Sequence, residues 1–488
     1  MLKKIIKEAG IYFVGSIGIA IISFVLSLLY SRIFSTSDFG YYSLVINVYN
    51  LVTTFLTGWM THSIVRFYND YKAKNELKFF SGTLFILHIF VSIVVFVVFF
   101  LIGMFLKNDL FRDIIWILSI NYLFDGLLLI INGFFRADGK SSDYSKSIFL
   151  NSVFKAIILL VLYYIIGRKN IDIIIVSFFI AGLIQTIYLL IKYKDYKFIK
   201  IKNFDYQIFK RSLNFGFPLI GVSLINWILS LSDRYIIKIF WPAKDVGLYS
   251  YGYQMGNALF YTLTICIMLG AYPNLAKEWE TKGKASIEKL ISKYLELFFY
   301  VLIPCTFAIF ILGKNVIELL CGQEYWSSYK VFEITCFSYA VYGLIQYTNI
   351  PWVLVGNTKK ILSLNIIAAL TNIILNFLLI PKYGYIIAAI NTLVAFIVYV
   401  CISLIQTKNI FAVKVESSFL LKVLISSSIM DIVLKLCVVN FRNTIINMVV
   451  TVFFGILCYF FTLVILKDKN IYLLIENRKV FRKKNYTK

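Results

Sequence analysis

The sequence predicts an all-α polytopic membrane protein of about fourteen transmembrane helices. They form two six-helix lobes, related by a pseudo-two-fold axis along the membrane normal, plus two C-terminal helices. Three observations predict this. The first is composition: of 488 residues, 60% are hydrophobic and 15% charged, against roughly 45–50% and 25% in globular chains. Mean hydropathy is +0.81, and a soluble fold keeps a polar shell that such a chain cannot supply. The second is pattern: apolar residues fall in blocks of about twenty, long enough to cross a hydrocarbon core of about 30 Å, with short charged segments between. The third is an internal repeat, set out below. A soluble enzyme, a secreted disulfide scaffold and a disordered tail are excluded.

The segments span about 11–34, 40–64, 79–106, 112–134, 147–167, 171–191, 213–238, 247–273, 290–313, 329–354, 361–380, 384–406, 417–439 and 443–466. The first follows Lys3, Lys4 and Lys7 as a signal peptide would. It is too long for one and lacks a small-x-small cleavage site before Arg32, so it is retained. The second is rich in Tyr, Asn and Thr, and the eleventh carries Asn365, Asn372 and Asn376. Both are polar over part of their surface and face protein or water. The third to sixth are apolar runs in which Asp125 and Lys155 stand out. Pro218, Pro304 and Pro351 fall inside the seventh, ninth and tenth, where a proline removes a backbone donor and kinks the helix. Gly216-Phe217-Pro218 is either a static bend or a hinge. The eighth opens on Gly247 and the twelfth on Gly384. The thirteenth holds Asp431 and Lys435 at i,i+4 spacing, where they neutralise one another. The fourteenth closes the hydrophobic part of the chain.

Net charge is +24, from 49 Lys+Arg against 25 Asp+Glu. The basic residues lie between hydrophobic blocks, so the excess is a topology signal and not a nucleic-acid surface. With the N-terminus inside, inside segments hold 35 Lys+Arg and outside segments 13, which places both termini in the cytoplasm. The expected organisation is an N-lobe (1–191), a cytoplasmic linker (192–212), a C-lobe (213–406), a helix pair (407–466) and a basic cytoplasmic tail (467–488). No loop has room for an extramembrane catalytic domain. Richness in Lys, Ile, Asn and Tyr suggests an AT-rich bacterial genome; the expected location is a bacterial cytoplasmic membrane.

The repeat reads Asp-x-Gly-x-Tyr-Ser twice, at Asp38-Phe39-Gly40-Tyr41-Tyr42-Ser43 and Asp245-Val246-Gly247-Leu248-Tyr249-Ser250, offset by 207 residues. Each follows an aromatic residue four positions earlier, Phe34 and Trp241. Gly139 and Gly356, and Gly167 and Gly384, repeat at an offset of 217. Two six-helix halves with shared topology follow. The acids of the motif are read as helix N-caps after a tight turn.

The seven cysteines show no CxxC or Cys/His spacing and read as small buried hydrophobes. Two histidines, His62 and His88, make a zinc site or a His-based triad improbable. Gly-x-Ser-x-Gly and the P-loop are absent, so no catalytic residue, metal or cofactor is expected and the chain is not read as an enzyme.

Charged residues within membrane helices are the candidates for function. Asp125 and Lys155 lie at matching depths of roughly 12–14 Å from the cytoplasmic side. They either pair as a structural bridge, or Lys155 holds an anion or snorkels to the interface. Arg66 lies four residues after His62 on one helix face, and Arg136 ends the fourth segment on the same side. Arg32 and Arg234 sit at the outer ends of the first and seventh segments. These arginines are interfacial anchors or the lining of a cavity between the halves. In the second case their planar forks suit a diphosphate. Glu333 is either an ion-coupling site or exposed at the outer interface. Tyr41, Tyr42, Tyr249, Tyr251 and Tyr253 fit an interfacial belt, or a sugar path.

Several stretches resemble bacterial oligosaccharide flippases: Asp233-Arg234-Tyr235 followed by Gly247-Leu248-Tyr249-Ser250, then Gly356-Asn357-Thr358-Lys359, and Asn365, Asn372, Asn376, Ile380-Pro381-Lys382-Tyr383-Gly384 before Ala388-Ala389. The Asn-x-x-x-Asn-x-x-x-Ile-Pro-x-x-Gly pattern is the most specific, and Ser31-Arg32 with Asp38-x-Gly fits as well. The family is the polysaccharide transporter (Wzx-like) branch of the multidrug/oligosaccharidyl-lipid/polysaccharide flippase superfamily. The resemblance implies two six-helix lobes around a central cavity, alternating access, and an undecaprenyl-diphosphate-linked oligosaccharide moved to the outer leaflet for capsule or O-antigen type synthesis. It implies membrane lipid, a polysaccharide polymerase and glycosyltransferases as partners, and no nucleic acid. The last two segments are similar to the extra pair of the lipid II flippases, which helps form a lipid groove. On this reading Arg32, Arg66 and Arg234, then Lys155 and Arg136, contact the anion, and Asp125 and Glu333 are ion-coupling or structural. The alternatives are a cation-coupled multidrug exporter, which wants an acidic cavity, and a membrane glycan polymerase or glycosyltransferase, which needs acids on a sizeable external loop.

Overall fold

The computed structural model describes residues 2–107, 109–167, 171–192, 200–408, 410–411, 415–440 and 444–468. The expectations placed on Arg168, Lys169, Arg442, residues 193–199 of the linker and the tail beyond 468 lie outside the described residues. Among the described residues there is no strand. In chain order the helices are α1 (Leu2–Ile33), α2 (Thr36–Ala73), α3 (Leu77–Phe105), α4 (Asp109–Ala137), α5 (Ser141–Ile166), α6 (Asp172–Lys192), α7 (Tyr206–Phe240), α8 (Ala243–Gly256), α9 (Thr262–Lys282), α10 (Lys284–Leu320), α11 (Tyr329–Leu354), α12 (Thr358–Tyr383), α13 (Ile386–Thr407), α14 (Ser417–Asn440) and α15 (Ile445–Ile465). Nine helices of the described residues are long and apolar enough to cross a membrane. A π-helical turn, Asn257–Tyr261, joins α8 to α9 without a break, so the eighth segment is one bulged helix.

Helix boundaries follow local chemistry. Ser35 caps α2, its hydroxyl accepting from the Asp38 amide at 3.1 Å and donating to the Asp38 carboxylate at 2.7 Å. The N-cap is therefore Ser35, and Asp38 is its acidic partner three residues on, because a serine hydroxyl reaches the first free amides while the acid serves the positive helix end. Asp205 caps α7 by accepting from the amides of Gln207 (2.7 Å) and Ile208 (3.1 Å). The repeated glycines carry the same backbone: φ is +71° at Gly139 and +74° at Gly356, +62° at Gly167 and +76° at Gly384.

The chain forms two compact units. Unit 1 is Met1–Ser250 with Ala369–Ala388, and unit 2 is Tyr251–Ala368 with Ala389–Lys488. In unit 1, α2 packs along α7 and against α4. The motif repeat meets itself there. A Cβ on Gly40 would stand 2.0 Å from the Ala243 carbonyl oxygen, and one on Gly247 would stand 1.8 Å from that of Thr36. The Ser43 hydroxyl donates to Ser250 at 2.7 Å. The 207-residue offset carries Gly40 onto Gly247 and Thr36 onto Ala243, so it exchanges the two glycine contacts and relates Ser43 to Ser250; the contact is locally two-fold and backbone touches backbone. Such approach is what glycine permits where lipid offers no hydrophobic drive for helix association. Further along, the Trp227 indole donates to Asn47 O (3.1 Å), Tyr235 to Leu44 O (2.9 Å) and Ser63 to Ser212 O (2.7 Å). At Gly216 a Cβ would stand 2.3 Å from Trp59 O, so the bend before Pro218 is seated on α2.

In unit 2, α14 and α15 form a hairpin on α10. The Tyr459 hydroxyl donates to Tyr300 O at 3.0 Å, and the Tyr300 hydroxyl donates to Asp468.

Candidate functional site

Unit 1 sorts its cations into ion-paired and open ones. Where α2, α4 and α5 meet near Ala73 and Ala137, Lys72 and Lys140 both bind Asp138, at 2.6 and 2.9 Å. Burial alone would push the Asp138 carboxyl up. The hydrogen bonds from Lys72 and Lys140 overcome that and hold it down to about 2. Arg211 of α7 pairs with Asp70 at 3.2 Å and lies 4.3 Å from the Phe67 ring. Arg66 and Arg136 are exposed and, among the described residues, make no ion pair. Arg66 rests 5.5 Å from the Phe67 ring and Arg136 5.8 Å from that of Tyr144. His62, one turn before Arg66 and also exposed, is near enough to Arg136 for their charges to interact. The structure thus brings His62, Arg66 and Arg136 to one end of unit 1, with the charge of the two arginines uncancelled. Such guanidinium forks can take a phosphate or carboxylate bidentately.

Asp125 and Lys155 do not pair. Asp125 accepts from the Tyr49 hydroxyl and from Asn121, both at 2.7 Å. Lys155 lies 4.5 Å from the Phe178 ring centroid. Matching depth is not matching azimuth, and each charge found a partner on its own side.

Arg234 is buried at 5% exposure, donates to Ser230 O at 2.9 Å and lies 5.5 Å from the Tyr249 ring. Its neighbour Asp233 is wholly buried and accepts from Asn376 at 2.6 Å and from the Tyr249 hydroxyl. Asn376 also donates to Asn372 at 3.0 Å, and the Trp241 indole donates to Ile380 O at 2.9 Å. The Asn-x-x-x-Asn-x-x-x-Ile-Pro pattern therefore ties α12 to α7 and α8 inside unit 1. Sequence reasoning placed Asp233 in the Asp233-Arg234-Tyr235 stretch but gave it no role. The signal for it was the pair of amides one turn apart, which needed a buried polar partner. Arg32, at the end of α1, is exposed. Glu333 belongs to unit 2, where its carboxylate lies against Gly313 of α10. Asp431 and Lys435 form no ion pair among the described residues: Asp431 Oδ1 is buried without a partner, and Lys435 is exposed. His88 is buried, its Nε2 3.0 Å from Leu123 O, and serves packing.

The family described as "Polysaccharide biosynthesis protein" matches residues 5–279. The chain belongs to this family. Its resemblance to Wzx-like flippases is borne out. The chain is similar to the capsular polysaccharide biosynthesis protein CapF of Staphylococcus aureus, 21% identical over 394 residues, 79% of this chain and 95% of that protein. It is also similar to the probable low-salt glycan biosynthesis flippase Agl15 of Haloferax volcanii, 24% identical over 250 residues, 49% of this chain and 50% of that one. Among solved structures, the lipid II flippase MurJ in its inward closed conformation shares the fold, with TM-score 0.77 and 17% identity over 95% of this chain and 99% of that one.

Proposed function

We propose that the protein moves an undecaprenyl-diphosphate-linked oligosaccharide repeat unit from the cytoplasmic to the outer leaflet, for cell-surface polysaccharide synthesis, and that it is a transporter and not an enzyme. Fourteen helices cross a bacterial cytoplasmic membrane with both termini inside. Residues 1–191 and 213–406 act as lobes that alternate access, the sugars pass between them and the prenyl tail stays in lipid. A polymerase and glycosyltransferases work on either side of the step. The single observation that carries this reading, beyond the family, is that Arg66 and Arg136 make no ion pair among the described residues, beside three cations that are bound to carboxylates. A diphosphate needs at least two forks that are not already spent on carboxylates. Arg32 and Lys155 supply further contacts, and Arg234 serves only in a state of the cycle that uncovers it. Asp125 and Glu333 remain the coupling candidates.

A charged hydrogen bond is worth about 1.5–3 kcal/mol. Loss of both forks should therefore lower transport by roughly a hundredfold or more. Arg66→Gln with Arg136→Gln is expected to abolish glycan export with normal protein in the membrane, while Lys72→Gln changes it little. Normal export in the double variant would overturn the assignment. Sugar transfer by the purified protein would overturn the transporter reading.

A further inference from the structure

Unit 2 holds a cavity of about 450 Å³ between α10, α11 and α14. Its wall carries five phenyl rings, Phe298, Phe299, Phe307, Phe310 and Phe337, and one acid, Asp431. Asp431 stands about 14 Å from the Asn440 end of its helix, at 1.5 Å per residue. That is well inside the hydrophobic segment 417–439 that the sequence predicts to cross the membrane, where a carboxylate costs several kcal/mol unless something balances it. Among the described residues nothing does. Its Oδ1 is buried without a hydrogen-bond partner, and Lys435, one turn on, does not reach it. The other polar side chain of the wall, Thr306, donates back to Leu302 O of its own helix.

A lipid chain alone would satisfy the rings and leave the carboxylate uncompensated. An ammonium group satisfies both, because it forms a charge-assisted hydrogen bond with a carboxylate and is attracted to phenyl faces. The volume lies within the range of small-molecule sites. We infer that this cavity is a binding site for an amphiphilic organic cation, an aryl-alkyl ammonium, with Asp431 as its counter-ion. The site lies wholly within unit 2 and does not depend on the flippase reading.

The test uses the full-length protein in phosphatidylcholine nanodiscs, titrated calorimetrically with 4-phenylbutylammonium and with its neutral counterpart 4-phenylbutanol. The ammonium is expected to bind at least tenfold more tightly than the alcohol. Asp431→Asn should erase that preference while leaving alcohol binding unchanged, and Val341→Trp, which fills the cavity, should weaken both. Equal affinity for the two probes would mean a cavity for alkyl chains only and would overturn the proposal. So would absence of binding, or a preference that survives in D431N.

Discussion

Glycine does two different jobs in this chain, and a single added methyl separates them. At Gly139 the backbone is left-handed, φ +71°, and nothing lies within 4 Å of where a Cβ would stand. Alanine there meets only backbone strain, about 1–2 kcal/mol. At Gly247 a Cβ would stand 1.8 Å from Thr36 O, so α2 and α8 must part, at about 1–3 kcal/mol or more. Thermal unfolding of the detergent-solubilised protein is expected to rank Gly247→Ala below Gly139→Ala. Asparagine, which tolerates the left-handed region, should recover stability at 139 and lose more at 247. Gly247→Ala with unchanged stability would contradict the close contact. Both glycines stood out in the sequence by their repeat spacing. Spacing could not say which was there for its dihedral and which for its missing side chain.

Elements are joined by polar clasps that the linear pattern only half disclosed. Asp138, in the turn between α4 and α5, holds Lys72 of α2. Its carboxyl is held below the ordinary value, so the clasp contributes fully above about pH 4 and is lost as pH falls toward about 2. Lys72 is half exposed, and screening limits the contribution to about 0–1 kcal/mol. Asp138→Asn should lower the unfolding temperature slightly at pH 6, with the difference closing between pH 4 and pH 2 in a fluorimetric melt series; a constant difference would rule the clasp out. Helix positions were legible because apolar runs of this length are unambiguous. The π-helical turn at Asn257–Tyr261 was not. It leaves the hydrophobic pattern intact, and its Asn257 amide finds the Tyr339 hydroxyl 82 residues away. The same limit explains Asp125, whose partners are Tyr49 and Asn121 and not Lys155. Depth can be counted along a helix, but rotation is set by neighbours.

For the whole molecule, the proposed orientation rests on the basic residues. The count of 35 Lys+Arg on one side against 13 on the other predicts residue 200 inside and residue 324 outside. In a variant with its native cysteines replaced by serine, Glu324→Cys should react with a membrane-impermeant maleimide in intact cells. Lys200→Cys should react only after permeabilisation. The reverse pattern would invert the topology and with it the direction of the proposed transport.

Taken alone, the sequence determined that this is a helical membrane protein, that it repeats internally, and that it belongs among polysaccharide flippases. Composition, block length and motif spacing are one-dimensional properties and survive without coordinates. Tertiary structure decided which charges are cancelled. Lys72, Lys140 and Arg211 meet acids, Arg66 and Arg136 do not, and Asp431 lines an apolar cavity without its expected lysine. Coulomb attraction and desolvation act over a few ångströms in space. Residues far apart in the chain supply those ångströms only once the helices have packed.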